Sequence, residues 1–189
     1  MPKIKIRIGI FGGSFNPVHE GHINIAKFAI ERLKLDELIF LPCFQSVDKT
    51  QAEYASPEHR VSMLLLVLPE KCSISAYEIG LGRPVETIET LRHFREIYKE
   101  AELLFILGED NLETIDTWEE YKKLDEYARL VVFRRNNNKK PLTRGLRVTF
   151  MDNELWNYSS SSIREKDTSG LDIKVEVYIR ENKLYGYVG

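Results

Sequence analysis

Two cysteines in 189 residues, Cys43 and Cys72, are too few and too far apart for a disulfide framework or a Cys-x-x-Cys metal site. Such sparing use points to a reducing compartment. Long hydrophobic runs are also missing. The longest, Met63 to Leu68, falls far short of the roughly 20 apolar residues that span a bilayer. Residues Met1 to Arg7 alternate charge with isoleucine and contain no apolar core of signal-peptide length. An excess of one charge is absent as well. With 27 Lys and Arg against 29 Asp and Glu, the net charge of −2 argues against a general nucleic-acid or membrane-surface binder. The expectation is a cytoplasmic protein with no nucleic-acid partner and no membrane partner.

What is present suits a globular enzyme. Hydrophobic residues make up 43% and charged residues 30%, ordinary for one well-packed domain. Neither a repeat nor a linker interrupts the chain, so residues 1–189 read as a single domain. Strand patterns are expected at Ile4–Phe11, Leu38–Leu41, Cys72–Ala76, Leu103–Leu107, Leu130–Phe133 and Arg147–Met151. Helical patterns fall at Gly21–Leu33, Thr87–Tyr98, Asn111–Ile115 and Trp118–Leu124. Another helix starts at Ser56-Pro57-Glu58, with Ser as N-cap and Pro at the first helical position, and ends near Leu68. Cys43 to Ala55 reads as a long polar loop. Strands alternating with helices predict an α/β fold, a doubly wound parallel sheet with helices on both faces and ligands at the strands' carboxyl ends.

The chemistry concentrates in Ile8-Gly9-Ile10-Phe11-Gly12-Gly13-Ser14-Phe15-Asn16-Pro17-Val18-His19-Glu20-Gly21-His22. It reads as a strand, a turn built on Gly12 and Gly13, and two histidines opening a helix. A glycine turn ahead of a helix start is a phosphate cradle, because free N–H groups and the helix dipole face the anion. The histidines stand three apart, not four as in the zinc motif H-E-x-x-H, and no third ligand is near. No metal site is expected. The histidines read as N–H donors to phosphate oxygens, against the plainer reading of two surface side chains. A second cluster, Ser159-Ser160-Ser161-Ser162-Ile163-Arg164, is either a flexible polar loop or hydroxyls and a guanidinium closing on a polyphosphate.

Together these strings resemble the HxGH nucleotidyltransferase superfamily. Gly13 to His22 matches its G-[GS]-F-[DN]-P-x-H-x-G-H signature. Ser159, Ser160, Ser161, Ile163 and Arg164 match its second motif. Within it the chain resembles the bacterial nicotinate mononucleotide adenylyltransferases of NAD synthesis. His59-Arg60-Val61-Ser62-Met63-Leu64, Thr87 to Leu91, Leu107 to Leu112, Thr117-Trp118 and Val132 to Arg135 carry that likeness. So does Val175 to Tyr185, which favours a helix where Lys174 to Tyr178 has strand propensity.

The resemblance implies a Rossmann-like fold that transfers adenylate from ATP, accompanied by Mg²⁺, to a mononucleotide. It implies catalytic roles for His19, His22 and Arg164. ATP contacts would come from Gly12, Gly13, Ser14, Phe15, Gly21, Gly108, Asp110, Ser159, Ser160, Ser161 and Ile163. Acceptor contacts would come from Lys49, Thr87, Trp118 and Arg135, with Trp118 a platform for a pyridine ring rather than merely a core aromatic.

Two departures bear on the acceptor. Asp48 stands where the family has His, and Glu86 where it has Tyr. They leave open the amide form, phosphopantetheine or another phosphate as acceptor. A nucleotide-binding module without turnover is the alternative from a different class, and the retained His19, His22 and Arg164 weigh against it. The oligomeric state is open, a homo-oligomer included. The six basic residues from Arg134 to Arg147 read as a solvated loop beside a polyphosphate site.

Overall fold

The computed structural model describes residues 5–44, 55–134 and 143–188. Lys49, Asp48 and Arg135, together with most of the polar loop after Cys43, lie outside the described residues. In chain order the elements are β1 Arg7–Gly13, α1 Glu20–Leu33, β2 Glu37–Pro42, α2 Pro57–Leu66, β3 Cys72–Ile74, α3 Tyr77–Gly80, α4 Thr87–Ile97 and β4 Glu102–Gly108. Then come α5 Asn111–Thr114, 3₁₀ turns at Ile115–Thr117 and Tyr121–Lys123, α6 Leu124–Tyr127, β5 Arg129–Phe133, β6 Val148–Met151, α7 Ser160–Arg164 and α8 Ile173–Glu181. The six strands form one sheet in the order β3-β2-β1-β4-β5-β6, and every pairing is parallel. Among the described residues no helix is long and apolar enough to cross a membrane.

A parallel strand buried on both faces needs apolar residues at consecutive positions, which sort alternately to the two sides. Along β4, Leu103, Phe105 and Leu107 enter one core with Ile88, Leu91 and Phe94 of α4. Leu104 and Ile106 enter the other, with Ala26 and Ala29 of α1, Met63 and Leu64 of α2, and Val175 and Ile179 of α8. β5 divides the same way, Leu130 and Val132 from Val131 and Phe133. Helices therefore cover both faces, as the alternating pattern predicts.

Local differences have local causes. The helix expected at Trp118–Leu124 is instead a 3₁₀ turn from Tyr121 leading into α6, because Glu120 takes a left-handed backbone (φ 47°) that breaks a helix. α3 is an element that four residues of sequence could not announce. At the C-terminal end Lys174–Tyr178 is helical despite its β-branched residues. Asp172 accepts a cap bond from the Lys174 N–H at 2.8 Å, and Val175 and Ile179, one turn apart, are buried in the core. Ser56 caps α2 as expected, with Pro57 first in the helix.

The largest fully buried side chain is polar. Arg60 of α2 is 0% exposed, and its guanidinium donates to the carbonyls of Ala55 (3.2 Å), Ser14 (2.8 Å) and Phe44 (2.8 Å). A buried guanidinium stays charged, so its lost hydration must be offset by such acceptors. Glu78 of α3 is buried too, accepting from the Thr90 hydroxyl at 2.7 Å. Burial raises its carboxyl pKa; the Thr90 bond opposes this and the Glu89 charge adds to it.

Two stability predictions follow from these groups. Arg60→Met leaves three carbonyls without their donor and should cost about 3 kcal/mol, read as a lower urea midpoint at unchanged m-value. Glu78 is ionised less readily folded than unfolded. Its contribution is therefore fully present below the ordinary glutamate pKa and lost as pH rises through the raised value. Glu78→Gln keeps an acceptor for Thr90 and removes the titration, so the variant should gain stability over wild type at neutral pH but not at acid pH. Melts across a pH series check it.

Candidate active site

The sheet opens where its order reverses. β1 and β4 are paired from Arg7–Glu102 to Phe11–Ile106. Beyond that, β1 stays with β2 as far as Gly13–Pro42, and β4 with β5 as far as Gly108–Phe133. Two strands that part for their last residues leave a crevice at their carboxyl ends, where doubly wound sheets bind ligands. Gly12 and Gly13 line one side and Gly108 the other.

The glycines do not make the turn expected of them. Gly12 and Gly13 are the extended end of β1, and neither has positive φ. Gly13 is small because Phe15 packs over it; a Cβ there would meet that ring at 3.0 Å. The left-handed residue is Phe15 itself (φ 47°). Its strain is held by burial, with edge-on rings of Phe11, Phe40 and His22 at centroid distances of 5.5, 5.4 and 5.0 Å.

α1 begins under this loop. His19 is the N-cap residue, buried, in an extended conformation. Its backbone N–H donates to Nδ1 of His22 at 3.2 Å, and the two rings lie 3.8 Å apart. With Nδ1 accepting, the neutral His22 ring carries its proton on Nε2. A Cβ at Gly21 would stand 3.0 Å from the His19 ring, so glycine there keeps room for the imidazole.

The serine cluster reaches the same loop directly. Ser159 caps α7, its Oγ accepting from the N–H groups of Ser161 and Ser162. Ser160 Oγ donates to the Pro17 carbonyl at 2.9 Å, and Arg164 donates to the Asn16 carbonyl at 2.7 Å and to Ser161 Oγ at 3.2 Å. Two motifs some 140 residues apart are thus hydrogen-bonded to each other. Ile163 is fully buried, as is Phe15, so these two side chains are packing elements of the site.

The remaining candidates sit on other elements. Asp110 is exposed just past β4, at the start of α5, where its side chain makes no cap bond. Thr87 is the first residue of α4; Trp118 is half-buried against the α4-side core, following the 3₁₀ turn at Ile115–Thr117. Arg134 lies over the Phe150 ring at 5.9 Å. Glu86 is exposed at the N-cap of α4 without a side-chain cap bond, and Arg83 pairs with Glu89 at 2.6 Å.

Sequence reasoning assigned no role to three residues that hold the site together. Asn16, 1% exposed, accepts through Oδ1 from the Ala55 N–H (3.0 Å) and the Tyr185 hydroxyl (2.7 Å). The Tyr187 hydroxyl donates to the Ile163 carbonyl at 2.6 Å. The signals were the Asn/Asp position of the first motif for Asn16 and the Leu-Tyr pair of the family-like tail for Tyr185.

Comparison with known proteins bears on the fold and the family. The cytidylyltransferase-like family model matches residues 10–166. The probable nicotinate-nucleotide adenylyltransferase of Methylacidiphilum infernorum is 32% identical over 95% of this chain and 92% of its own length. That of Endomicrobium trichonymphae is 36% identical over 95% of this chain and 98% of its own. The solved nicotinic acid mononucleotide adenylyltransferase of Plasmodium falciparum, complexed with NaAD, superposes with a TM-score of 0.84 at 20% identity, over 96% of this chain and 98% of that one. The superposition speaks for the Rossmann-like fold, while the sequence relatives extend through both halves of the stitched loop and tail. The chain therefore belongs to the nicotinate-nucleotide adenylyltransferase family of cytidylyltransferase-like nucleotidyltransferases.

Proposed function

We propose that this chain joins ATP to nicotinate mononucleotide, giving nicotinate adenine dinucleotide and pyrophosphate, a step of NAD synthesis. The observation that carries the reading is the bonding of Arg164 and Ser160 to the Asn16–Pro17 carbonyls at the open end of β1. It brings a guanidinium, hydroxyls and the His19–His22 pair to one crevice. The mononucleotide phosphate attacks the α-phosphorus of ATP, and the bond from that phosphorus to the bridging oxygen of the β-phosphate breaks. A phosphate nucleophile is anionic near neutral pH, so no general base is required. Catalysis then rests on holding two anions in line and stabilising charge on the α-phosphate and the leaving group.

In this scheme His22 donates from Nε2 to the α-phosphate. His19 and Ser14 hold the triphosphate, and Arg164 with Ser159–Ser161 receives the β- and γ-phosphates. Gly12 lies along the nucleotide, Gly13 and Gly21 leave room for the Phe15 and His19 rings that shape its site, and Gly108 and Asp110 face it from the end of β4 and just beyond. Thr87 and Trp118, with Lys49 and Arg135, serve the acceptor. Mg²⁺ comes with ATP, held chiefly by phosphate oxygens and water. Imidazole N–H, hydroxyl and guanidinium groups suit the phosphates rather than the cation, and no three His, Cys, Asp or Glu side chains converge among the described residues.

A second reading has its own observation. Glu86 at the start of α4 is exposed, while the nearby Arg83 is engaged with Glu89. A carboxylate beside the acceptor side disfavours a carboxylate-bearing ring, which favours the amide form of the substrate. Pyrophosphate release with Mg·ATP and nicotinate mononucleotide, its amide or phosphopantetheine separates these readings. The nicotinate form should turn over fastest; no release with any acceptor would leave a binding module.

His22→Ala should lower kcat by about 10²–10³ while leaving the fold intact by circular dichroism, the loss expected for one preorganised donor to developing charge. Near-normal turnover would remove His22 from the chemistry. Trp118→Ala should raise KM for the acceptor roughly tenfold, the value of one stacked ring, with KM for ATP little changed. Steady-state kinetics with each substrate varied in turn checks it.

A further inference from the structure

Two of the proposed acceptor contacts, Thr87 and Trp118, sit on separate pieces of chain, the start of α4 and the segment after α5. The bonds of the Trp118 backbone are local. Its N–H donates to the Ile115 carbonyl at 3.1 Å, and its carbonyl accepts from the Tyr121 N–H at 3.2 Å. The ring packs, half-buried, on the α4-side core that holds Ile88 and Leu91. Apolar packing is non-directional, so by itself it lets a ring slide or tilt.

Two residues further on, Glu120 supplies a directed link. One carboxylate oxygen accepts from Arg92 of α4 at 2.9 Å, and the other from Lys123 in the following 3₁₀ turn. Arg92 is itself held. Its Nε donates to the Tyr127 hydroxyl at 3.3 Å, and its guanidinium lies over that ring, 5.5 Å from the centroid. Hydrogen bonds from Lys123 and Arg92 keep the Glu120 carboxyl below the usual glutamate range, so the pair is charged at neutral pH. Glu120 also has the left-handed backbone (φ 47°, ψ 33°) that turns the chain just after Trp118. A residue with a long side chain holds that conformation only where its surroundings enforce it. The turn that presents Trp118 and the ion pair that reaches α4 thus belong to one residue.

We propose that Glu120 and Arg92 are positioning residues for the acceptor, the pair setting the Trp118 ring against the Thr87 end of α4. This rests on Trp118 and Thr87 serving the acceptor. A part-exposed ion pair adds little to overall stability. What this one fixes is the distance between two elements that share a substrate.

The test uses the full chain carrying Trp156→Phe, which leaves Trp118 as the sole tryptophan; Trp156 packs on Phe28 in the core on the other face of the sheet. In that parent, Glu120→Gly and Arg92→Gln should each raise KM for nicotinate mononucleotide roughly two- to fivefold, with kcat and KM for ATP little changed. Both should make Trp118 fluorescence more readily quenched by acrylamide in the free enzyme. Glycine takes the left-handed backbone freely, so Glu120→Gly should melt no lower than the parent, and a purely structural role for Glu120 predicts no change in KM from it. Arg92→Lys keeps the charge and should stay close to the parent. Unchanged quenching or unchanged acceptor KM in Glu120→Gly and Arg92→Gln would overturn the proposal, as would an Arg92→Lys variant no better than Arg92→Gln. Trp118→Ala then locates the fault. A raised acceptor KM there removes only the positioning role, whereas an unchanged one removes the assignment of Trp118 to the acceptor as well.

Discussion

The site depends on how the backbone carbonyls of residues 14–17 are satisfied. Between the end of β1 and the start of α1 the chain crosses the top of the sheet with no ladder of its own, and much of it is buried. Buried carbonyls without donors are costly, so something else must supply the hydrogen. Arg60 serves Ser14, Arg164 serves Asn16 and Ser160 serves Pro17. The donors come from two distant stretches of chain, α2 and α7. The loop is held like a strand whose neighbours are side chains.

That arrangement explains why structure and chemistry share residues here. Arg164 uses two of its five N–H donors on Asn16 and Ser161. The same contacts hold the guanidinium against the β1–α1 loop. His22 likewise accepts the His19 N–H, which satisfies an end-of-helix donor and fixes which ring nitrogen carries the proton. Preorganisation of this kind costs no rearrangement when charge develops, which is where electrostatic catalysis gets its advantage.

The sheet was legible in the sequence because its interior strands are continuous in Ile, Leu, Val and Phe, and because Ser56-Pro57 and Gly108 punctuate the chain. The two motifs were legible as strings, and their juxtaposition at the switch point follows from the strand order. What was not legible depends on distant partners. Gly12 and Gly13 read as a turn because local sequence cannot say that Phe15 will fold back over them. Trp118 to Glu120 read as helix because nothing local foretold the left-handed Glu120. The burial of Arg60 is invisible to periodicity, since an arginine on a helix ordinarily reads as solvent-facing. Asn16 and Tyr185 meet across 169 positions, and no spacing rule reaches that far.

The same distances say something about how the site comes into being. Lys166 donates to the Tyr185 carbonyl and its ammonium lies 4.0 Å from the Tyr187 ring centroid, while Tyr187 holds the carbonyl of Ile163 at the base of α7. Tyr185 itself sits in a left-handed conformation (φ 53°), a strain that persists only while its neighbours enforce it. Each of these contacts joins the last stretch of the described chain to α7 or to the residues just after it. Closing such long loops is entropically unfavourable, though the cost grows only slowly with length. The α7 clamp and the histidine loop therefore share their supports with the C-terminal tail. A crevice built this way is as ordered as its most distant support.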